Sequence, residues 1–150
     1  MKKGNVLEKE FDRIDKKIIQ FLKKNGLVFL KYSLALVFIW FGILKSFNLS
    51  PANELVANTV YWFDPNWFVP FLGWWEVLIG VCLLYHPLTR IGLALMAVQM
   101  AGTFLPLIIL PEVAFSKPFV PTLEGQYIIK NLVLIGAAMI IGSHLRDKKM

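Results

Sequence analysis

The feature that most constrains this chain is a series of four apolar runs, each close to the length that crosses a bilayer. A helix needs about 20 predominantly apolar residues to span the hydrocarbon core, and such runs cover about residues 27–44, 66–85, 91–110 and 125–142. Only 17% of the residues are charged, whereas soluble domains carry about 25%. The sequence therefore predicts an all-α membrane protein, a four-transmembrane-helix bundle in which residues 1–150 form a single integral membrane domain.

A fifth segment, residues 5–25, has the pattern of an amphipathic helix. Lysines and an arginine surround one apolar face, which favours an interfacial helix on an anionic membrane surface, with docking to a partner as the alternative. Asn25 and Gly26 are expected to break this helix before the first span. The apolar positions recur at spacings of three and four and so share a face: Leu7, Phe11, Ile14, Ile18 and Phe21.

The connecting segments carry several local signals. Ser50-Pro51 predicts a short helix over about residues 52–61, and Asp64-Pro65 predicts the capped start of the second span. Pro106 is expected to kink the third span and to leave the carbonyl of Gly102 free, because proline has no N–H to donate. The proline-rich residues 111–123 are expected to form a loop.

Basic residues predict the orientation of the spans. Thirteen of the sixteen lysines and arginines fall on one side of a four-span topology, so the positive-inside rule places both termini in the cytoplasm. The net charge of +6 therefore indicates membrane orientation, and no nucleic-acid partner is predicted. Lys31, one turn inside the first span, is expected to snorkel back to the headgroups.

Glu76 is the polar residue that most needs an explanation. It lies about 15 Å below the end of the second span, where a charge costs roughly 2.5–3.5 kcal/mol on insertion scales. We predict a buried cluster in which Lys130 is the main counter-ion of Glu76 and Lys45 the second. Gln99 and Asn131 would supply hydrogen bonds. Such a pair either only fixes how the spans pack or marks a binding or proton site.

Two further polar residues are expected to lie near this cluster. Thr103 shares a helical face with Gln99, and Tyr127 shares one with Asn131, because each pair is four residues apart. The single cysteine, Cys82, excludes an internal disulfide and is predicted to be a small core residue.

No metal site is predicted from the sequence. The only histidines, His86 and His144, fall at helix ends without a metal-binding motif, and there is no phosphate-binding loop, HExxH or nucleophile elbow.

Four segments together resemble the DoxX-like superfamily, and most closely its YkgB-type branch of inner-membrane proteins. They are LALVFIWFGILKSF, LGWWEVLIGVCLL, GTFLPLIILPE and GQYIIKNLVLIGAAMII, one for each span, and the resemblance covers about residues 28–143. The motif residues would be Lys45, Glu76 and Lys130. The chain departs from the branch at Gln126 and Asn131, where the motif tends to carry arginine and aspartate.

The resemblance implies a small four-helix protein of a bacterial-type inner membrane, with an accessory or ligand-binding role in envelope redox or stress response. One alternative is a quinone- or lipid-binding oxidoreductase subunit, with Glu76 and Lys130 as proton or headgroup contacts and Trp74, Trp75 and Tyr127 as ring-stacking walls. Another is a small proton-coupled transporter. A non-catalytic role is favoured, no resident cofactor is predicted, and a quinone, a lipid, a membrane partner subunit or a second copy of the chain are the expected associates.

Overall fold

The computed structural model describes residues 3–146, with side-chain surroundings from residue 8 onward. The predicted apolar position Leu7 and four of the basic residues therefore lie outside the described side chains: Lys2, Lys3, Lys148 and Lys149. The elements, in chain order, are α1 (Lys3–Ser46), α2 (Asn53–Thr59), α3 (Pro65–Leu84), a 3-10 turn (His86–Leu88), α4 (Thr89–Thr103), α5 (Pro106–Ile109), α6 (Pro111–Ala114), β1 (Phe115–Lys117), β2 (Val120–Pro121) and α7 (Leu123–Ser143).

Four helical segments are long and apolar enough to cross a membrane. They are Glu8–Ser46, Pro65–Leu84, His86–Ile109 and Leu123–Ser143, and each contains most of one predicted run. The prediction of an all-α four-helix membrane bundle is therefore confirmed, and many large apolar side chains are exposed on the outside of these helices, as contact with a lipid bilayer requires.

Helix α1 is longer than expected, because the predicted break at Asn25 and Gly26 does not occur. The Asn25 side-chain amide donates to the backbone carbonyl of Phe21 at 3.0 Å, and the helix continues through both residues. A glycine inside a helix costs only about 1 kcal/mol relative to alanine, which the favourable residues around Gly26 offset. The amphipathic segment and the first span thus form one helix of 44 residues.

The starts of two other helices follow the sequence signals closely. Asp64 caps α3 by accepting a hydrogen bond from the backbone N–H of Asn66 at 3.0 Å, with Pro65 as the first helical residue. Helix α2 lies inside the predicted 52–61 range, although Ala52 rather than Ser50 is its cap residue. The Ser50 hydroxyl instead accepts from the N–H of Ala52 in a tight turn.

The third span breaks where a kink was predicted. Helix α4 ends at Thr103, two turn residues follow, and Pro106 begins the separate helix α5. The carbonyl of Gly102 accepts from the N–H of Leu105 at 3.1 Å, so the prediction of a free carbonyl was wrong. The last turn tightens to an i→i−3 bond, which satisfies the carbonyl that the proline cannot reach.

The predicted loop over residues 111–123 is more ordered than expected. It consists of α6 followed by the antiparallel pair β1–β2, and the Ser116 hydroxyl donates to the carbonyl of Val120 at 3.1 Å across the hairpin. The Thr122 N–H donates to the carbonyl of Ala114, which ties the start of α7 back to α6.

Helices α1 and α3 run antiparallel and approach closely through small residues. A Cβ atom on Gly42 would lie 2.6 Å from the carbonyl oxygen of Gly73, and one on Gly80 would lie 2.7 Å from the carbonyl oxygen of Ala35. Small residues let helix backbones approach in membranes, where apolar surface alone provides no association energy. These contacts fix the register of the two helices.

The core lies where α1, α3, α4 and α7 meet. Cys82 is buried at 4% exposure, which confirms its prediction as a small core residue. The central buried side chains come from all four helices: Leu34, Ala35, Phe38, Ile79, Leu83, Met96, Met100 and Ile141.

Candidate functional site

Glu76 lies on the face of α3 that packs against α1. Gly73 precedes it by three residues and Gly80 follows by four, so all three share one helical face. Because the two glycines hold α1 at backbone contact, the carboxylate points into the bundle and is only 8% exposed. Local helical spacing and close packing therefore bury this acid.

One oxygen of Glu76 receives both hydrogen bonds that the cluster supplies. Lys45 Nζ lies 2.5 Å from Glu76 Oε1 in an ion pair, and the Gln99 side-chain amide donates to the same oxygen at 2.8 Å. Lys45 is 8% exposed and Gln99 9% exposed, so the group is largely buried. A charged pair in such a low-dielectric setting attracts strongly.

The other oxygen of Glu76 is buried without a partner. Among the residues that the structure describes, Oε2 accepts no hydrogen bond, and the indole Nε1 of Trp75 donates none. An ionised carboxylate can accept at both oxygens, and leaving a buried polar atom unpaired costs about 1–3 kcal/mol. The site therefore holds one unused acceptor, with a second unused polar group on the neighbouring residue.

Lys130 does not take the role predicted for it. Its side chain is exposed, and Nζ lies 4.9 Å from the ring centroid of Tyr127, one helical turn earlier on α7. The inward face of α7 carries Gly125 and Ile128 instead. The expected Glu76–Lys130 ion pair is thus wrong because the phase of α7 turns this lysine outward, and Lys45 is the counter-ion.

The remaining predicted site residues divide between the cluster and the surface. The Thr103 hydroxyl donates to the backbone carbonyl of Gln99 at 3.0 Å and so contacts the helix rather than Glu76. Gln99 donates to Glu76 as predicted. Asn131 is half-buried and makes no side-chain hydrogen bond to Glu76 among the described residues, so that part of the prediction was wrong.

The three aromatic residues predicted as walls of the site are not all close to Glu76. Trp74 and Tyr127 are 56% and 62% exposed on the outside of the bundle, which is a correction to that prediction. Residues two apart on a helix point about 200° apart, so Trp74 faces away from Glu76. Trp75 alone is half-buried and packs against the core.

Lys31 is a buried cation that the sequence analysis misassigned. It is 6% exposed, and Nζ lies 3.4 Å from the hydroxyl oxygen of Thr89 instead of reaching the headgroups. Helical phase could have revealed this, because Lys31 shares a face with Leu34, Ala35 and Phe38, which are all buried.

The two histidines stay apart from the cluster. His86 is exposed in the 3-10 turn, and the ring Nδ1 of His144 lies 2.9 Å from the carbonyl oxygen of Ile140 at the end of α7. Within residues 3–146 no group of three or more His, Cys, Asp or Glu side chains is placed to hold a metal ion.

Fold and site together define the class: a four-span α-helical membrane protein with a buried carboxylate–lysine–amide cluster between its first three spans. No family model, curated protein or solved structure matches the chain.

Proposed function

We propose that this chain is a small non-catalytic membrane protein of the DoxX-like kind, YkgB-type branch, in which Glu76 binds a ligand. It would act in envelope redox or stress response at a bacterial-type inner membrane, with both termini in the cytoplasm. The observation that carries the binding role is the buried oxygen Oε2 of Glu76, which has no hydrogen-bond partner among the described residues.

The chemistry of this oxygen selects a kind of ligand. An unpaired carboxylate oxygen accepts a hydrogen bond, so the ligand must present a donor such as the hydroxyl of a quinol or of a lipid headgroup. The indole N–H of Trp75 could donate to a ligand carbonyl, as a quinone would require, if the ligand bridged both groups. A quinone-type ring or a hydroxyl-bearing lipid satisfies these requirements.

The enclosure of Glu76 ranks the proposed roles. Side chains of Lys45 and Gln99 close over the acid, which leaves only 10% of its side chain exposed. A transporter needs an open path from one side of the membrane to its ionisable residue, and an enzyme needs room for a reacting group, whereas a donor group that stays bound at Oε2 needs only the small exposed part of the site. The accessory, ligand-binding role therefore comes first, the quinone- or lipid-binding oxidoreductase subunit second and the proton-coupled transporter third.

Association with a second membrane protein is part of the proposal. Lys130 and Tyr127 lie exposed on α7, seven and four residues past its start at Leu123, and an exposed lysine there would be stabilised by a neighbouring protein surface. A partner subunit or a second copy of this chain would both serve.

The proposed binding is tested by native mass spectrometry of the protein taken directly from membranes. The wild-type chain should carry a bound quinone or hydroxyl-bearing lipid, and Glu76→Gln should reduce its occupancy several-fold, because an amide in place of the carboxylate weakens the acceptor. Glu54→Gln is the matched control, since Glu54 is exposed on the short helix α2. Equal occupancy in the wild-type and Glu76→Gln proteins, both shown to be folded, would refute the proposal.

A further inference from the structure

A second buried cation lies at the end of the bundle opposite the Glu76 cluster. We call this the basic end: it comprises the α1 segment 23–31, the turn that joins α3 to α4, and the last residues of α7. Lys31 is buried here at 6% exposure, inside the first span. A lysine enclosed among apolar helices needs a compensating negative charge.

No protein carboxylate supplies that charge within the described structure. The only ion pair found there joins Lys45 and Glu76. Lys31 makes one long hydrogen bond, to Thr89 at 3.4 Å, and its Nζ lies 6.0 Å from the ring centroid of Tyr32. An ammonium group has three N–H donors, so two of them remain without an acceptor. Apart from Glu76, every acid from residue 16 to residue 146 lies at the other end of the bundle, in the connections or in the first turn of α7: Glu54, Asp64, Glu112 and Glu124.

The groups around Lys31 are those that bind phosphate. Thr89 is fully buried, and its hydroxyl accepts from Lys31 and donates to the carbonyl of Tyr85 at 3.4 Å, so it holds the lysine in place. Arg90 is the next residue and is exposed. Ammonium and guanidinium groups are common phosphate ligands, the guanidinium through paired hydrogen bonds. Basic pockets between spanning helices near the membrane surface bind lipid headgroups.

We infer that Lys31 and Arg90 form a binding site for the phosphate group of an anionic phospholipid, with Thr89 holding Lys31 in position. The lipid phosphate supplies the missing negative charge to Lys31, and its acyl chains lie along the apolar outer surface beside α1 and α4. Lys31 anchors the phosphate because it is held in the bundle, and Arg90 reaches it from the surface. This site is separate from the Glu76 cluster and does not depend on the function proposed for it.

Lipid titration of the detergent-purified full chain tests the inference. Phosphatidylglycerol and phosphatidylcholine with identical acyl chains are added, and lipid adducts are followed by native mass spectrometry and unfolding by temperature. Wild-type protein should bind phosphatidylglycerol about tenfold more tightly than phosphatidylcholine, as expected when buried and surface cations both contact the anionic headgroup. Equal binding of the two lipids would overturn the site.

Substitutions of Lys31 test whether this lysine produces the preference for phosphatidylglycerol. Lys31→Met should abolish the preference for phosphatidylglycerol, whereas Lys24→Met, which removes an exposed charge at the same end, should retain it. Lys31→Arg keeps the charge and should preserve the preference, which provides a test even if Lys31→Met does not fold. An unchanged preference in folded Lys31→Met, or its loss in folded Lys31→Arg, would contradict the role of this residue.

Inorganic phosphate distinguishes a site for the free phosphate ion from a site for a phospholipid headgroup. Added at the same concentration as the lipid, it should neither raise the unfolding temperature nor displace bound phosphatidylglycerol, because it lacks the acyl chains. Protection by phosphate equal to that by the lipid would overturn the assignment to a phospholipid.

Discussion

Gly42 and Gly73 lie in backbone contact across α1 and α3, and this contact sets the position of the charged pair. A Cβ on Gly73 would lie 2.5 Å from the backbone nitrogen of Ser46. Lys45 follows Gly42 by three residues and Glu76 follows Gly73 by three. The two glycines bring the helices together, and the next turn of each helix then brings the lysine to the acid.

The contact predicts that Gly73→Ala is destabilising. The new methyl group would meet backbone atoms that cannot move aside, and overpacking of this kind costs typically about 1–3 kcal/mol. Gly136→Ala is the matched control, because nothing lies within 4 Å of its added Cβ, and it should be neutral or slightly stabilising. Unfolding in mixed detergent would measure both, and equal effects would argue against the close α1–α3 contact.

The Lys45–Glu76 pair predicts strong coupling between two substitutions. Removing one partner of a buried pair leaves the other charge unpaired and costs about 3–5 kcal/mol, so Lys45→Met and Glu76→Leu should each be strongly destabilising. The double variant should cost far less than the two single effects together. A double-mutant cycle in detergent unfolding measures the difference.

Lys130→Met provides the control for that cycle. Lys130 is exposed and contacts the ring of Tyr127, so its loss should combine additively with Glu76→Leu, as expected for sites that share no contact. If the coupling energy of Glu76 with Lys130 exceeded that with Lys45, Lys130 would be the counter-ion, as the sequence first predicted.

The hydrogen bond from Gln99 to Glu76 predicts a smaller loss of stability than the loss of either charge. Its amide donates to the same oxygen as Lys45, and a hydrogen bond to a charged group contributes about 1.5–3 kcal/mol. Gln99→Met, which keeps the side-chain length, should therefore destabilise the protein by about that amount. Thr103→Val, one turn away, removes only a bond to a helix carbonyl and should have a smaller effect. Similar losses in the two variants would show that the Gln99–Glu76 bond adds nothing.

Sequence patterns predicted the spans because hydropathy and length depend on the chain alone. They also predicted that Glu76 needs a lysine and that Gln99 donates to it. They did not predict which lysine, because both Lys45 and Lys130 lie at a suitable depth and only the rotational phase of each helix separates them. That phase is set by packing. Gly42 and Gly73 fix it for α1 and α3, and the buried Ile128 fixes it for α7.

Other errors came from local signals that tertiary structure or neighbouring residues overrode. Asn25-Gly26 is a frequent turn pair, but the helix formers on both sides keep α1 continuous. Lys31 can snorkel in isolation, yet its place on the same face as Leu34 and Phe38 buries it. The hairpin after α6 is only five residues of paired strand, too short for an alternating pattern to be visible in the sequence.

The continuity of α1 predicts a specific distance across the Asn25–Gly26 pair. Spin labels at Lys17 and Leu36, both exposed, are separated by nineteen residues and should lie about 28 Å apart along a continuous helix. The labels are introduced as cysteines in a Cys82→Ala background, since Cys82 is the only native thiol. Double electron–electron resonance in lipid nanodiscs should give one narrow distance distribution near this value.

Gly26→Pro is the comparison. Proline removes a helical hydrogen bond and bends the helix, so the distance should become shorter or its distribution broader. If the unmodified helix already gave the broad distribution of the proline variant, the amphipathic segment would be a separate helix, as the turn pair first indicated.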